Sequence, residues 1–333
     1  MKKLVPLLFS ILFFSCQENT SEIITVTGEI APEEIGKTLH HEHLLVDLIG
    51  AGSTGYHRWD KDEVIEKVLP YLLEIKNAGY KTLVECTPEF LGRDPVLLKM
   101  LSEQSGIQLI TNTGLYTAME GKFLPDYAFS ETPEQLAARW IDEFQNSIEG
   151  TGIYPGFIKI AVERRPLEDI QRKIVKAAAL AHLETGLTIM SHTGLAVPAF
   201  QQLEILEKTG VHPSAFIWTH ANNEKDFTKQ IEAAERGAWI AFDKFTPESK
   251  DEFVSFAKLM KGKGLLNKLL FSHDAGWYEP AKPGGGDFRG FMDIENYLIP
   301  ALKENGFSQD ELDQLFIKTP ADVFYVKVRR IHP

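Results

Sequence analysis

The chain has 333 residues, 44% of them hydrophobic and 25% charged, with a net charge of −12 at pH 7. That length carries one large domain or two smaller ones. The acidic balance, with no dense basic run, excludes nucleic acid as an expected partner. Beyond the N-terminus no stretch reaches the roughly 18 apolar residues that mark a membrane-spanning helix.

The first residues read as a targeting segment. Lys2 and Lys3 form a short positive region, residues 4–14 an apolar run too short to span, and Ser15-Cys16 a small residue before a cysteine. This resembles a bacterial lipoprotein signal, with Phe13 where leucine is usual. Residues 1–16 would then be the signal peptide and Cys16 the lipidated first residue of the mature chain. Residues 17–23 would form a polar tether and 24–333 the folded body. Plain secretion with cleavage nearby is the simpler alternative. The expectation is an exported protein that touches a bacterial membrane through its lipid anchor alone. Cys86 is the one cysteine left after Cys16, so a lipidated chain forms no intramolecular disulfide.

Residues 23–30 alternate around Gly28 and predict a short β-hairpin. From there, short apolar strands alternate with amphipathic helices. Strands are predicted at 38–44, 81–86, 108–113, 157–162, 187–192, 215–220, 238–242 and 268–274, and helices at 62–77, 133–148, 167–185, 224–236 and 251–261 among others. Ala78-Gly79, Thr185-Gly186 and Arg236-Gly237 supply the glycine stops that end helices. Eight strands in this order predict an α/β fold, a (β/α)8 TIM barrel behind the hairpin. An open doubly wound sheet would favour a glycine-rich phosphate loop after its first strand. This chain carries His41-Glu42-His43 there instead, and no Pro/Ser-rich linker marks a second domain.

Residues two apart on a strand share a face, so His41 and His43 aim at one point. A lone pair of this kind serves equally well as ordinary hydrogen-bonding histidines. The later strands favour a metal centre, because polar groups close them one by one: Lys159, His192, His220 and Asp274. A barrel gathers its strand C-termini into one mouth. Four histidines, a carboxylate and a lysine there suit two divalent ions, zinc foremost. Lys159 is the unusual member, since an ammonium in an apolar strand is costly unless paired. Its neutral amine could take up carbon dioxide as a carbamate and bridge two ions; a lysine reaching the barrel rim is the alternative. His40 and His273 should face away from the site.

Gly36-Lys37-Thr38-Leu39-His40-His41-Glu42-His43, Gly92-Arg93-Asp94, Phe157-Ile158-Lys159, Ser272-His273-Asp274 and Thr319-Pro320-Ala321 resemble the phosphotriesterase family of the amidohydrolase superfamily, over about residues 25–325. The resemblance implies a binuclear centre. His41, His43 and Asp274 would hold the more buried ion, His192 and His220 the more exposed one, and carboxylated Lys159 would bridge them together with a hydroxide. Asp274 would then be the catalytic proton acceptor. It also implies a small-molecule substrate and a possible homodimer. Tyr116 stands where lactonases of the family place a tyrosine, Lys244 where they tend to have arginine, and Trp277 in the last barrel loop. These three are the expected substrate contacts. A carboxylic ester or lactone is the expected substrate. The alternatives are an amidase of small N-acylated acids, an organophosphate triesterase, and a non-catalytic surface protein that keeps the barrel as a binding scaffold.

Overall fold

The computed structural model describes residues 22–331. The expected signal, Cys16 and most of the tether lie outside the described residues. The first described strand begins at Ile23, the last residue of the expected tether. The predicted hairpin pairs Ile23–Thr25 (β1) with Gly28–Ile30 (β2), antiparallel. It docks on the barrel through a bond from Val26 N to Leu109 O of 2.8 Å.

The barrel strands are Lys37–Leu45 (β3), Tyr80–Glu85 (β4), Gln108–Ile110 (β5), Asn112–Thr113 (β6), Phe157–Ala161 (β7), Thr188–His192 (β8), Phe216–Thr219 (β9), Trp239–Phe242 (β10), Leu269–Phe271 (β11) and Gly276–Tyr278 (β12). They form two parallel arcs, β11-β10-β9-β8-β7-β6 and β12-β3-β4-β5. The arcs are continuous: β5 and β6 are one strand broken at Thr111, and β12 follows β11 after a short turn. Two backbone bonds tie that turn to the first barrel strand, Asp274 N to His41 O at 3.1 Å and His43 N to Ala275 O at 2.9 Å. The result is the predicted eight-stranded (β/α)8 barrel, with the third and eighth strands each in two pieces.

Strands covered on both faces read as nearly continuous apolar runs. In β7 all five residues are buried. Outward residues such as Leu39, Ile158 and Ile160 join the layer under the helices, whereas Val84, Ile110, Phe157, Met190, Ile217 and Leu270 fill the barrel, with Val323 and Phe324 packed against them. The helices match the predicted stretches closely, as in Lys61–Asn77, Asp169–Thr185 and Lys250–Gly262. Asp60 caps the first of these, its carboxylate accepting from the backbone N–H groups of Asp62 and Glu63.

One buried carboxylate seals the closure between first and eighth strands. Glu42, between the two histidines of the motif, accepts from Ser272 Oγ (2.7 Å), His273 N (3.0 Å), His273 Nδ1 (2.7 Å) and Ala275 N (2.8 Å). These donors outweigh the cost of burial and keep its carboxyl below the usual range. His273 faces away from the barrel mouth as alternation predicts, its Nε2 accepting from Ile294 N at 3.0 Å. Strand β3 does not keep simple alternation: its register against β4 shifts between Leu39 and Glu42. His40 lies within that irregularity, fully enclosed, and burial lowers its ring to about 4.

Candidate active site

All six proposed ligands converge at the C-terminal mouth of the barrel. His41 directs Nε2 to within 3.3 Å of Lys159 Nζ and 3.6 Å of Asp274 Oδ1. His43 Nε2 lies 3.1 Å from the same carboxylate oxygen. His220 Nε2 lies 2.8 Å from His192 Nδ1 and 4.0 Å from Asp274 Oδ2. The Nε2 atoms of His41 and His43 and the Asp274 carboxylate form one compact donor set, with ligand atoms within 4.8 Å of one another.

Asp243 decides which nitrogens are presented. It sits just past β10, buried, and accepts from His41 Nδ1 at 2.7 Å and also from His220 Nδ1 and His220 N. With both oxygens engaged by the outer nitrogens, Asp243 orients the rings and leaves each Nε2 lone pair facing the centre. It stays ionised: burial opposes the charge, but the two histidines pull the carboxyl well below its usual range. Burial, aided by the Lys159 charge, lowers His41 to about 3, so that ring is neutral and able to ligate. Burial likewise drives His192 well down. For Asp274 burial works against ionisation, but the imidazoles of His41, His43 and His220 around it outweigh that cost, and the carboxyl lies far below normal.

Lys159 is 1% exposed, and its nearest polar partner is a histidine nitrogen. Among the described residues no carboxylate lies within ion-pair distance of it. A lone ammonium is the least favourable occupant of such a position. The site is nonetheless built tightly around it. A Cβ on Gly114, which adopts φ +120°, would lie 2.0 Å from Lys159 O, and one on Gly276 would lie 1.8 Å from His43 O. Only glycine permits these approaches. Five non-glycine residues at the mouth also adopt positive φ: Met119 (61°), His220 (57°), Lys244 (65°), Asp274 (53°) and Trp277 (74°). Strain of about 1–3 kcal/mol per such residue persists where the surroundings impose it, often at functional sites.

Above the polar floor opens a cavity walled by Val46, Leu48, Leu91, Met119, Phe123 and Trp277. Tyr116 lies in it, its hydroxyl 3.2 Å from His192 Nδ1, and burial raises that phenol so that it stays protonated. Lys244 lines it too, with Nζ 3.5 Å from Asp274 Oδ2 and its side chain 46% exposed. Trp277 packs edge-on against His43 at 5.5 Å between ring centroids. All three sequence-predicted substrate contacts therefore share the cavity with the proposed ligands. Arg165, beyond β7, is engaged by Glu120 and Glu168 outside it. Sequence reasoning missed Asp243 and most of the apolar wall. Asp243 had a signal, a carboxylate closing the seventh strand beside Lys244; the wall comes from loops with no periodic pattern.

Comparison with known proteins agrees with this geometry. The phosphotriesterase family model matches residues 21–324. An aryldialkylphosphatase of Saccharolobus solfataricus is 29% identical over 89% of this chain and 96% of its own length. An N-acetyltaurine hydrolase of Xenopus tropicalis is 25% identical over 90% and 97%. The solved structure of an organophosphorus hydrolase from Deinococcus radiodurans superimposes with a TM-score of 0.81, at 28% identity over 91% of this chain and 97% of that one. The chain belongs to the phosphotriesterase family of metal-dependent hydrolases.

Proposed function

We propose that the protein is a binuclear-metal hydrolase that cleaves a carboxylic ester or a lactone. The observation that carries this reading is the convergence of four imidazoles, Asp274 and a buried lysine at one centre, all but His220 lining the floor of an apolar cavity. His41, His43 and Asp274 would hold one ion, His192 and His220 the other, with Lys159 carboxylated between them. Imidazole and carboxylate donors suit zinc. Bound ions of this kind bring the pKa of water to about 7 and polarise the scissile carbonyl. Asp274 accepts the proton of the attacking water and delivers it to the leaving group. The protonated Tyr116 hydroxyl offers a hydrogen bond to the substrate beside His192. The wall formed by Trp277, Leu91 and Phe123 excludes bulk water and seats the apolar part of the substrate.

Tyr116 and the cation at Lys244 favour an ester or lactone. The phosphoryl oxygen of a neutral phosphotriester would accept from Lys244 much as a carbonyl oxygen does. An N-acylated small acid would use it, and the N-acetyltaurine hydrolase among the relatives gives that amidase reading second place. Turnover of lactone, aryl ester, N-acyl amino acid and aryl phosphotriester panels, measured side by side, separates them. Preference for phosphotriesters, or amide cleavage faster than ester cleavage, would displace the ester reading.

Lys244 is proposed to orient a carbonyl oxygen or an anionic substituent. Hydrogen bonds to charged groups contribute about 1.5–3 kcal/mol. Lys244→Met is therefore expected to lower kcat/KM roughly ten- to a hundredfold for the cognate substrate, far less for a neutral aryl ester, with metal content unchanged. Equal losses on both substrates would point to a structural role through Asp274.

The N-terminal pattern supports a further reading, an exported lipoprotein anchored at Cys16. Several acyl chains hold a protein to a bilayer where one chain binds only marginally. The native protein is expected in the membrane fraction and the Cys16→Ser variant in the soluble fraction. A native protein that is soluble and unlipidated would leave plain secretion.

A further inference from the structure

His41 and His220 are oriented by one carboxylate, Asp243, but His43 is not. Its outer nitrogen, Nδ1, meets a hydroxyl instead, Thr87 Oγ1 at 2.8 Å. Behind that hydroxyl stands a carboxylate the reaction does not use: Thr87 Oγ1 donates to Glu85 Oε1 at 2.5 Å. Both Glu85 oxygens also accept from backbone, Oε1 from Leu44 N (3.2 Å) and Oε2 from Thr87 N (3.1 Å). Glu85 is 1% exposed and Thr87 fully buried, so solvent takes no part. Asn112 fixes the segment, its Nδ2 donating to the carbonyls of Glu85 and Thr87 at 3.1 Å each.

We propose that Thr87 and Glu85 are positioning residues that hold His43 in the tautomer and orientation needed to bind a metal ion. A hydroxyl carries one hydrogen. Thr87 gives its hydrogen to a carboxyl group whose two oxygens are already acceptors. Only lone pairs then remain toward His43, so Nδ1 carries the ring proton and Nε2 presents its lone pair beside Asp274. The hydroxyl does for His43 what Asp243 does directly for His41 and His220. Bridging by threonine also keeps the second carboxylate one residue further from the centre, where Asp274 already supplies negative charge. The inference rests on His43 being a metal ligand.

The test uses zinc-loaded protein challenged with a chelator such as dipicolinate, reading the zinc retained. Removal of such outer partners typically costs 10- to 100-fold in metal affinity. Thr87→Val, close in shape but without the hydroxyl, is expected to lose zinc ten- to a hundredfold more readily than the unmodified protein. Thr87→Ser, which restores the hydroxyl, is expected to retain it. Zinc held as tightly by Thr87→Val, or lost equally by Thr87→Ser, overturns the proposal. Should Thr87→Val not fold, nitrogen-15 NMR of the unmodified protein decides: a proton on His43 Nδ1 is expected, and a bare Nδ1 overturns it. A native protein that takes up no zinc would instead refute the metal-centre reading, and the tautomer measurement would still judge this one.

Discussion

Asp274→Asn is expected to leave the barrel folded and lower turnover by roughly two to four orders of magnitude, the range for a general acid–base group. The Asp274 carboxylate lies 3.1 Å from His43 Nε2, 3.6 Å from His41 Nε2 and 3.5 Å from Lys244 Nζ. Its environment holds it ionised. Asparagine is nearly isosteric, and its amide oxygen can still face a metal. It also tolerates left-handed backbone better than most residues, which matters at φ 53°. The substitution removes proton acceptance together with the charge that faces Lys244 and the proposed ion, so metal content is read beside turnover. Steady-state kinetics beside a thermal midpoint checks this. A folded variant with near-native turnover would assign proton transfer elsewhere.

Lys159→Ala is expected to abolish metal retention and activity together, and short carboxylic acids supplied with metal should partly restore both. Among the described residues Lys159 has no carboxylate partner, so the metal-free variant is relieved of an unpaired buried charge and should stay folded. Proposed as a carbamate, the side chain delivers a carboxylate to the centre, which acetate or propionate can imitate. Methylammonium imitates the bare amine. Rescue by acetate and not by methylammonium supports the carbamate. The reverse pattern would make the amine the working group, and full activity without rescue would make Lys159 a filler of space.

The arrangement of this site was legible because a barrel converts sequence order into geometry. Each candidate closed an apolar run, and strands covered on both faces give runs that stand out from the helices. His41, His43, Lys159, His192, His220 and Asp274 could therefore be placed around one mouth from their order in the chain. The breaks were not legible. Thr111 interrupts the third strand, and the eighth turns at Ser272–Ala275, because these backbones are shaped by Gly156 N on Thr111 O (2.8 Å) and by the four donors around Glu42. Neither partner is a sequence neighbour. Asp243, Thr87 and Glu85 escaped for a similar reason: their roles depend on which ring nitrogen they meet, a property of packing. The walls at Val46, Leu48 and Phe123 come from loops whose apolar residues have no period to read. Lys244 shows the limit from the other side. Its position was legible, and its 3.5 Å approach to Asp274 was not.

The central claim is that these six side chains hold two divalent ions. Elemental analysis of the full chain, purified without chelators and again after incubation with zinc, tests it most directly. Two metal equivalents per chain are expected, falling with activity when a chelator is applied and returning with it when zinc is restored. A protein that carries no metal, and takes up neither zinc, manganese nor cobalt, would contradict the claim.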